Sequence, residues 1–148
     1  MSGNLYFDDL RVGQRFTSAK HTVTEAEIVD FASQFDPQPF HLDADAARET
    51  FFGRLVASGW HTAAITMSLL VGSGTIAGGV IGMNVEIRWP RPTLPGDTLQ
   101  VLSEVIEVTP SRSRSDRGTA LLSSETVNQN GEAVQILTSR LMVPRRTA

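Results

Sequence analysis

Ser58-Gly-Trp-His-Thr-Ala-Ala-Ile-Thr-Met-Ser-Leu-Leu-Val-Gly72 is the stretch that decides the fold. Ser58 offers an oxygen to the unpaired N–H groups of a helix start and Gly72 supplies a stop, so a helix is predicted over Gly59–Val71. Trp60, Ala63, Ala64, Ile65, Met67, Leu69, Leu70 and Val71 leave this helix little polar face. A helix apolar nearly all round is one that other elements surround. Its most apolar part, Ala63 to Val71, is about half the length of a membrane span, so the surroundings are protein and no membrane role is expected.

Downstream of Gly78 and Gly79 the apolar period changes to two. Ile81, Met83, Val85, Ile87 and Trp89 alternate with Gly82, Asn84, Glu86 and Arg88, which predicts a half-buried strand. Pro90, Pro92, Pro95 and Gly96 end it in a turn-rich loop. Three further strands are predicted over Thr98–Val108, Gly118–Val127 and Glu132–Val143, with a hairpin tip at Asn128-Gln-Asn-Gly131. Upstream, a strand over Arg15–Val23 precedes a helix with a full start signal: Thr24 as cap, Glu27 completing a capping box, and Val23 stapling to Ile28. Ile28, Phe31, Ala32 and Phe35 give that helix an apolar face. Pro37 and Pro39 prevent its continuation, so Asp36-Pro-Gln-Pro-Phe-His41 is expected as a stiff, extended loop. Asp43 or Asp45 then caps a short helix running toward Phe51.

This order predicts an α+β fold in a single domain over residues 1–148: a long buried central helix wrapped by an antiparallel β-sheet. One sheet covers only part of such a helix, and edge strands want partners, so a homodimer or higher homo-oligomer is expected.

Composition narrows the chemistry. The 148 residues are 41% hydrophobic and 20% charged, an ordinary globular balance, and the net charge of -3 gives no drive toward nucleic acid. The absence of cysteine excludes disulfides, thiolate metal sites and a cysteine nucleophile. The first ten residues carry Asp8 and Asp9, no basic residue and no apolar run, so no signal peptide and a cytoplasmic location are expected. Lys20 is the only lysine and falls on an exposed strand, a poor place for Schiff-base chemistry. His21, His41 and His61 lack the spacing of a metal-binding pair, so no metal is expected. Gly72-Ser-Gly-Thr-Ile-Ala-Gly-Gly79 follows a helix instead of a strand and lacks the Gly-Lys-Ser/Thr ending, so it is a connector and not a phosphate loop.

Asp36 and His41 are the candidate chemical pair. A carboxylate and an imidazole five residues apart on a proline-stiffened segment can converge on one water molecule, and histidine gives and takes protons near neutrality. From spacing alone the stronger reading is structural, with Asp36 capping a turn and His41 as a hydrogen-bonded core or loop histidine. The helix start at Gly59 adds an electrophilic element, because its first N–H groups lack intrahelical partners and a glycine lets a ligand approach the backbone. Alone, this also reads as an ordinary capped helix. Ser58, Trp60 and His61 are candidates for the surrounding pocket, although helix packing explains Trp60 and His61 equally well.

Three motifs occur in order: Phe35-Asp-Pro-Gln-Pro-Phe-His-Leu-Asp43, Leu55-Val-Ala-Ser-Gly-Trp-His61 and Ile87-Arg-Trp-Pro-Arg-Pro-Thr-Leu-Pro-Gly-Asp-Thr-Leu99. Together they resemble the successive signatures of the MaoC-like dehydratases, a group that includes the (R)-specific enoyl-CoA hydratases. The resemblance implies the hotdog fold, usually dimeric. It places Asp36 and His41 on the catalytic Asp and His, and Gly59 on the glycine whose N–H contacts the thioester oxygen. It implies an (R)-specific enoyl-CoA hydratase, equally a 3-hydroxyacyl-CoA dehydratase. No cofactor is needed, and coenzyme A enters as part of the acyl-CoA substrate, or an acyl carrier protein takes its place. The family motif commonly reads Asp-x-Asn-Pro-x-His, whereas Gln38 stands at the Asn position here and follows Pro37. Met67 stands where studied hydratases carry a serine near the site. The rival readings are a hotdog acyl-CoA thioesterase and a non-catalytic acyl-CoA-binding module. The run Arg112-Ser-Arg-Ser-Asp-Arg117 is either a solvated hairpin tip or a contact for coenzyme A phosphates, the tip being the stronger reading.

Overall fold

Alternating apolar and polar residues build the frame. The computed structural model describes residues 5–73, 76–79 and 81–146. Five strands, β1 (Arg15–Thr22), β2 (Ile81–Arg88), β3 (Thr98–Pro110), β4 (Arg117–Val127) and β5 (Ala133–Pro144), form one sheet in the order β1-β3-β4-β5-β2. Every pairing is antiparallel. The β4–β5 hairpin turns at the predicted tip, where Gly131 takes a φ of 77° and Asn128 N–H donates to Glu132 O at 2.9 Å.

Among the described residues four α-helices, α1 (Glu25–Phe35), α2 (Pro39–Leu42), α3 (Ala44–Ala47) and α4 (Gly59–Gly72), accompany the sheet, with one 3-10 turn at Phe7–Asp9. The local start signals hold. Thr24 Oγ1 accepts from Glu27 N–H at 3.2 Å while Glu27 Oε1 accepts from Thr24 N–H at 2.7 Å, the predicted capping box. Of the two candidate caps for the short helix, Asp43 serves, accepting from Asp45 N–H at 2.8 Å. The central helix α4 packs against β1, β3 and β5, the arrangement expected of the hotdog fold.

The core has two apolar ends and a polar seam. Val23, Ile28, Leu55, Ile65, Leu99 and Val134 cluster beneath α1 and α4. Phe7, Leu10, Val105, Ala120, Leu141 and Val143 cluster at the other end of the sheet. Along β3 the buried Ser103 falls between Leu99 and Val105, and its hydroxyl bonds Ser124 at 2.9 Å. Beside it Thr66 of α4 bonds Thr126 at 2.6 Å and accepts from Gln135 at 3.1 Å, all three fully buried. A buried polar seam that is satisfied in this way fixes one register of helix on sheet.

Four expectations change. The segment Asp36–His41 is not extended throughout: Pro37 stops α1, but Pro39 starts α2, because the first position of a helix needs no N–H donor. Phe35 turns out to solvent instead of joining the apolar face of α1. The helix α4 is covered on one side only, leaving Trp60, Met67 and Val71 exposed in the single chain. The strand β2 is an edge strand and not half-buried, with Ile81, Met83 and Val85 each 48–56% exposed. In the glycine-rich run Gly72–Gly79, Gly74 and Thr75 lie outside the described residues, as do Met1–Asn4 of the N-terminal stretch. Among the described residues no helix is long and apolar enough to cross a membrane.

Candidate active site

The site begins where α1 stops. Asp36 is the C-cap of α1, its N–H still bonded to Ala32 O at 2.9 Å. The single turn of α2 then swings His41 inward, where it is 5% exposed. His41 Nδ1 lies 2.7 Å from Val56 O, and Val56 N–H returns a bond to Phe40 O at 2.9 Å. A carbonyl can only accept, so Nδ1 carries the hydrogen and the neutral ring presents its lone pair at Nε2. That Nε2 lies 3.4 Å from Asp36 Oδ2. Two acceptors facing each other at this distance call for a shared proton donor, such as a water bonded to both or a proton taken up on Nε2.

Asp36 is held from two sides. Ser58 Oγ–H donates to Oδ2 at 2.7 Å and the Gln38 amide donates to Oδ1. Burial works to raise the carboxyl's pKa, but the Ser58 and Gln38 hydrogen bonds and the nearby His41 together hold it below the ordinary carboxylate value. Asp36 is thus an ionised acceptor at neutral pH. Gln38, a departure from the family motif in the sequence, here occupies one oxygen of the catalytic candidate.

Ser58 also organises the start of α4. Its Oγ accepts from Trp60 N–H at 3.2 Å, and its carbonyl accepts from His61 and Thr62 N–H at 3.0 and 3.1 Å. Among the described residues nothing accepts from Gly59 N–H. One donor at the positive end of a helix is left for a ligand. The fold adds a reason for glycine of its own: a Cβ there would come within 2.8 Å of the Trp89 indole. Trp89 occupies the space beside Cα, and its own Nε1–H is anchored on Gln135 Oε1 at 2.9 Å. Thr93 ties the 89–97 loop to the same helix start, accepting from Ala57 N–H at 2.9 Å through its carbonyl and from Thr62 Oγ1–H at 2.9 Å through its hydroxyl.

Asp36, His41, Gly59, Trp60 and Arg91 all line one cavity of about 470 Å3. Ser58 reaches it through its bond to Asp36. His61 does not line it: successive residues turn about 100° around a helix, so two positions past Gly59 it faces about 200° away. It lines a separate cleft with His21 and Glu27, and stacks on Phe31 with ring centres 4.8 Å apart. Although His21 and His61 share that cleft, among the described residues no three His, Asp or Glu side chains gather into a metal-binding group. Met67 lines a second, apolar cavity of about 180 Å3 between α4 and the sheet, with Leu70, Val85 and Leu137. The turn before Arg117 is at the end of β3 away from the 89–97 loop, about 40 Å along the strand at ordinary rise, and Arg112–Arg117 does not line the cavity of Asp36 and His41. Gln38, Val56, Trp89 and Thr93 as supports of the site escaped the sequence reading. All four carried a signal as members of the three motifs, and Gln38 also stands out as the departure at the Asn position.

Known proteins share this fold. Residues 10–128 match the family profile described as the MaoC like domain. A crystal structure of a MaoC-like dehydratase from Rhodospirillum rubrum superposes with a TM-score of 0.96 at 55% identity, covering 98% of this chain and 100% of that one. An (R)-specific enoyl-CoA hydratase from the same organism is 30% identical over 142 residues, 95% of this chain and 93% of that protein. The uncharacterized protein YdeM of Bacillus subtilis is 34% identical over 125 residues, 82% of this chain and 86% of that protein. With the fold, the three ordered motifs and the matched profile in agreement, the chain belongs to the MaoC-like dehydratase family.

Proposed function

We propose that the protein is an (R)-specific enoyl-thioester hydratase, acting equally as a 3-hydroxyacyl-thioester dehydratase. The observation that carries this reading is the pairing of His41 Nε2 with Asp36 Oδ2 at 3.4 Å, in the same cavity as the unbonded Gly59 N–H. The thioester carbonyl accepts from Gly59 N–H, which draws electron density onto oxygen and leaves C3 open to attack. Water held between Asp36 and His41 adds its oxygen to C3 and gives one proton to the pair. The pair returns one proton to C2, so it ends as it began, and dehydration is the reverse path. Asp36 and His41 act on the same water, so the proton is shared between them and the acid and base roles belong to the pair. The machinery needs no metal or prosthetic group, and the acyl carrier arrives with the substrate. The apolar cavity lined by Met67, Leu70, Val85 and Leu137 suits an acyl chain. Stereochemistry follows the (R)-specific relative.

A homodimer goes with this reading. The edge strand β2 leaves Ile81, Met83 and Val85 exposed, and Val85 shares a cavity with the exposed Met67 of α4. A second copy pairing along β2 buries this face, and sedimentation equilibrium is expected to give twice the chain mass.

The reaction is tested by following the conjugated absorbance of a panel of enoyl-CoA thioesters alongside a thiol reagent. Loss of absorbance without thiol release supports hydration. Thiol release supports a thioesterase, and tight binding without change in either signal supports a binding module.

A further inference from the structure

Arg91 is the one lysine or arginine among the residues lining the Asp36/His41 cavity. Pro90 and Pro92 bracket it and stiffen its backbone. Its side chain is 55% exposed, and its Nη1 lies 3.4 Å from Glu132 Oε2, long for a charge-assisted hydrogen bond. An exposed pair of this kind holds its partners weakly. Glu132 also has another partner, since Asn128 Nδ2 donates to its Oε1 at 3.1 Å. That bond, ahead of the Arg91 charge, keeps the Glu132 carboxyl below its ordinary pKa. Arg91 can therefore leave Glu132 without stranding an unsatisfied charge. The Asp36 carboxylate repels anions from the inner end of the cavity, so an anionic group entering it stays on the Arg91 side.

Building on the proposed function, we infer that Arg91 exchanges Glu132 for an anionic group of the thioester substrate and so anchors the substrate at the cavity. The shared chemistry is a phosphate or carboxylate oxygen meeting a guanidinium, and it has two sources: the phosphates of the acyl carrier or a carboxylate on the acyl group.

Calorimetric binding of three saturated thioesters, which have no double bond to hydrate, separates the sources. Butyryl-CoA carries phosphates, butyryl-pantetheine carries no anion, and succinyl-pantetheine carries an acyl carboxylate alone. Arg91→Gln is expected to weaken one anionic ligand on the order of tenfold, the loss of one charge-assisted hydrogen bond. Butyryl-pantetheine binding should be unchanged, and Arg91→Lys should restore part of the loss. Loss confined to butyryl-CoA assigns the carrier phosphates, and loss confined to succinyl-pantetheine assigns the acyl carboxylate. Equal affinity of wild type and Arg91→Gln for all three, or an equal loss that includes butyryl-pantetheine, overturns the inference. If the wild type shows this discrimination but does not hydrate crotonyl-CoA, the hydratase reading fails and the Arg91 inference stands.

Discussion

Two clefts lie at opposite ends of α1, and each holds a histidine beside a carboxylate. At the C-terminal end His41 faces Asp36 at 3.4 Å, and at the N-terminal end His21 meets Glu27 at 3.0 Å with His61 nearby. The shorter pair is the less suited to chemistry. His21 and Glu27 are 39% and 31% exposed, and Glu27 already serves the capping box through Thr24 N–H. Such a pair is worth at most about 1 kcal/mol. The side chains of His41 and Asp36 are 7% and 18% exposed, and His41 has its hydrogen fixed on one nitrogen by Val56 O. On the proposed reading, burial, a fixed tautomer and a nearby free N–H suit the first pair to proton transfer, a suitability that distance alone does not give.

Exchanging alanine between the two clefts gives the largest expected effect. His41→Ala should reduce turnover on the order of a hundredfold or more, while His21→Ala should leave it within about twofold. Comparable losses in both variants would erase the distinction between the clefts.

Ser58→Ala sharpens the account of the first cleft by removing one hydroxyl with two tasks. Loss of the α4 cap should cost about 1 kcal/mol in denaturant unfolding. Loss of the bond to Asp36 removes an interaction that lowers its pKa, so the acid limb of the pH–rate profile should move to higher pH. A profile that keeps its position would show that Ser58 does not tune Asp36.

The smallest effect belongs to the second cleft. Burial pushes His61 below its ordinary value of 6.5, with Glu27 pulling it up and His21 pushing it further down. The folded state therefore prefers the neutral ring, and the unfolded chain binds more protons as pH falls through 6.5. The stability this gives is present above that pH and is lost as pH falls toward the lower folded value. His61→Phe removes the proton uptake and should flatten this limb of the stability profile, measured by urea unfolding across pH. An unchanged slope would assign the acid sensitivity to another group.

What the sequence disclosed was local. Thr24 with Glu27, Asp43, Ser58 and the Asn128–Gly131 tip each act on a neighbour within a few residues, and each held. The pairing of Asp36 with His41 was proposed on a short proline-rich segment, and the structure brings the two together within that same span. Apart from Gln38, which bonds Asp36 two positions away, the missed features depend on contacts distant in sequence. Val56 O reaches His41 across 15 positions, and Trp89 presses on Gly59 from a separate loop. The exposure of β2 depends on strand order, which alternation cannot state, since the same pattern suits a central strand. Pro39 starts a helix where the sequence predicts an extended loop, because proline breaks a helix from inside and suits its first position.

The central claim is that Asp36 and His41 together move the protons of hydration. Its most direct test compares wild type with Asp36→Asn in a crotonyl-CoA hydration assay, with circular dichroism confirming that both are folded. The substitution keeps the side chain's size but replaces an ionised acceptor with a neutral amide. A folded Asp36→Asn protein with turnover reduced on the order of a hundredfold or more is the predicted result. A folded variant with near wild-type turnover would contradict the account.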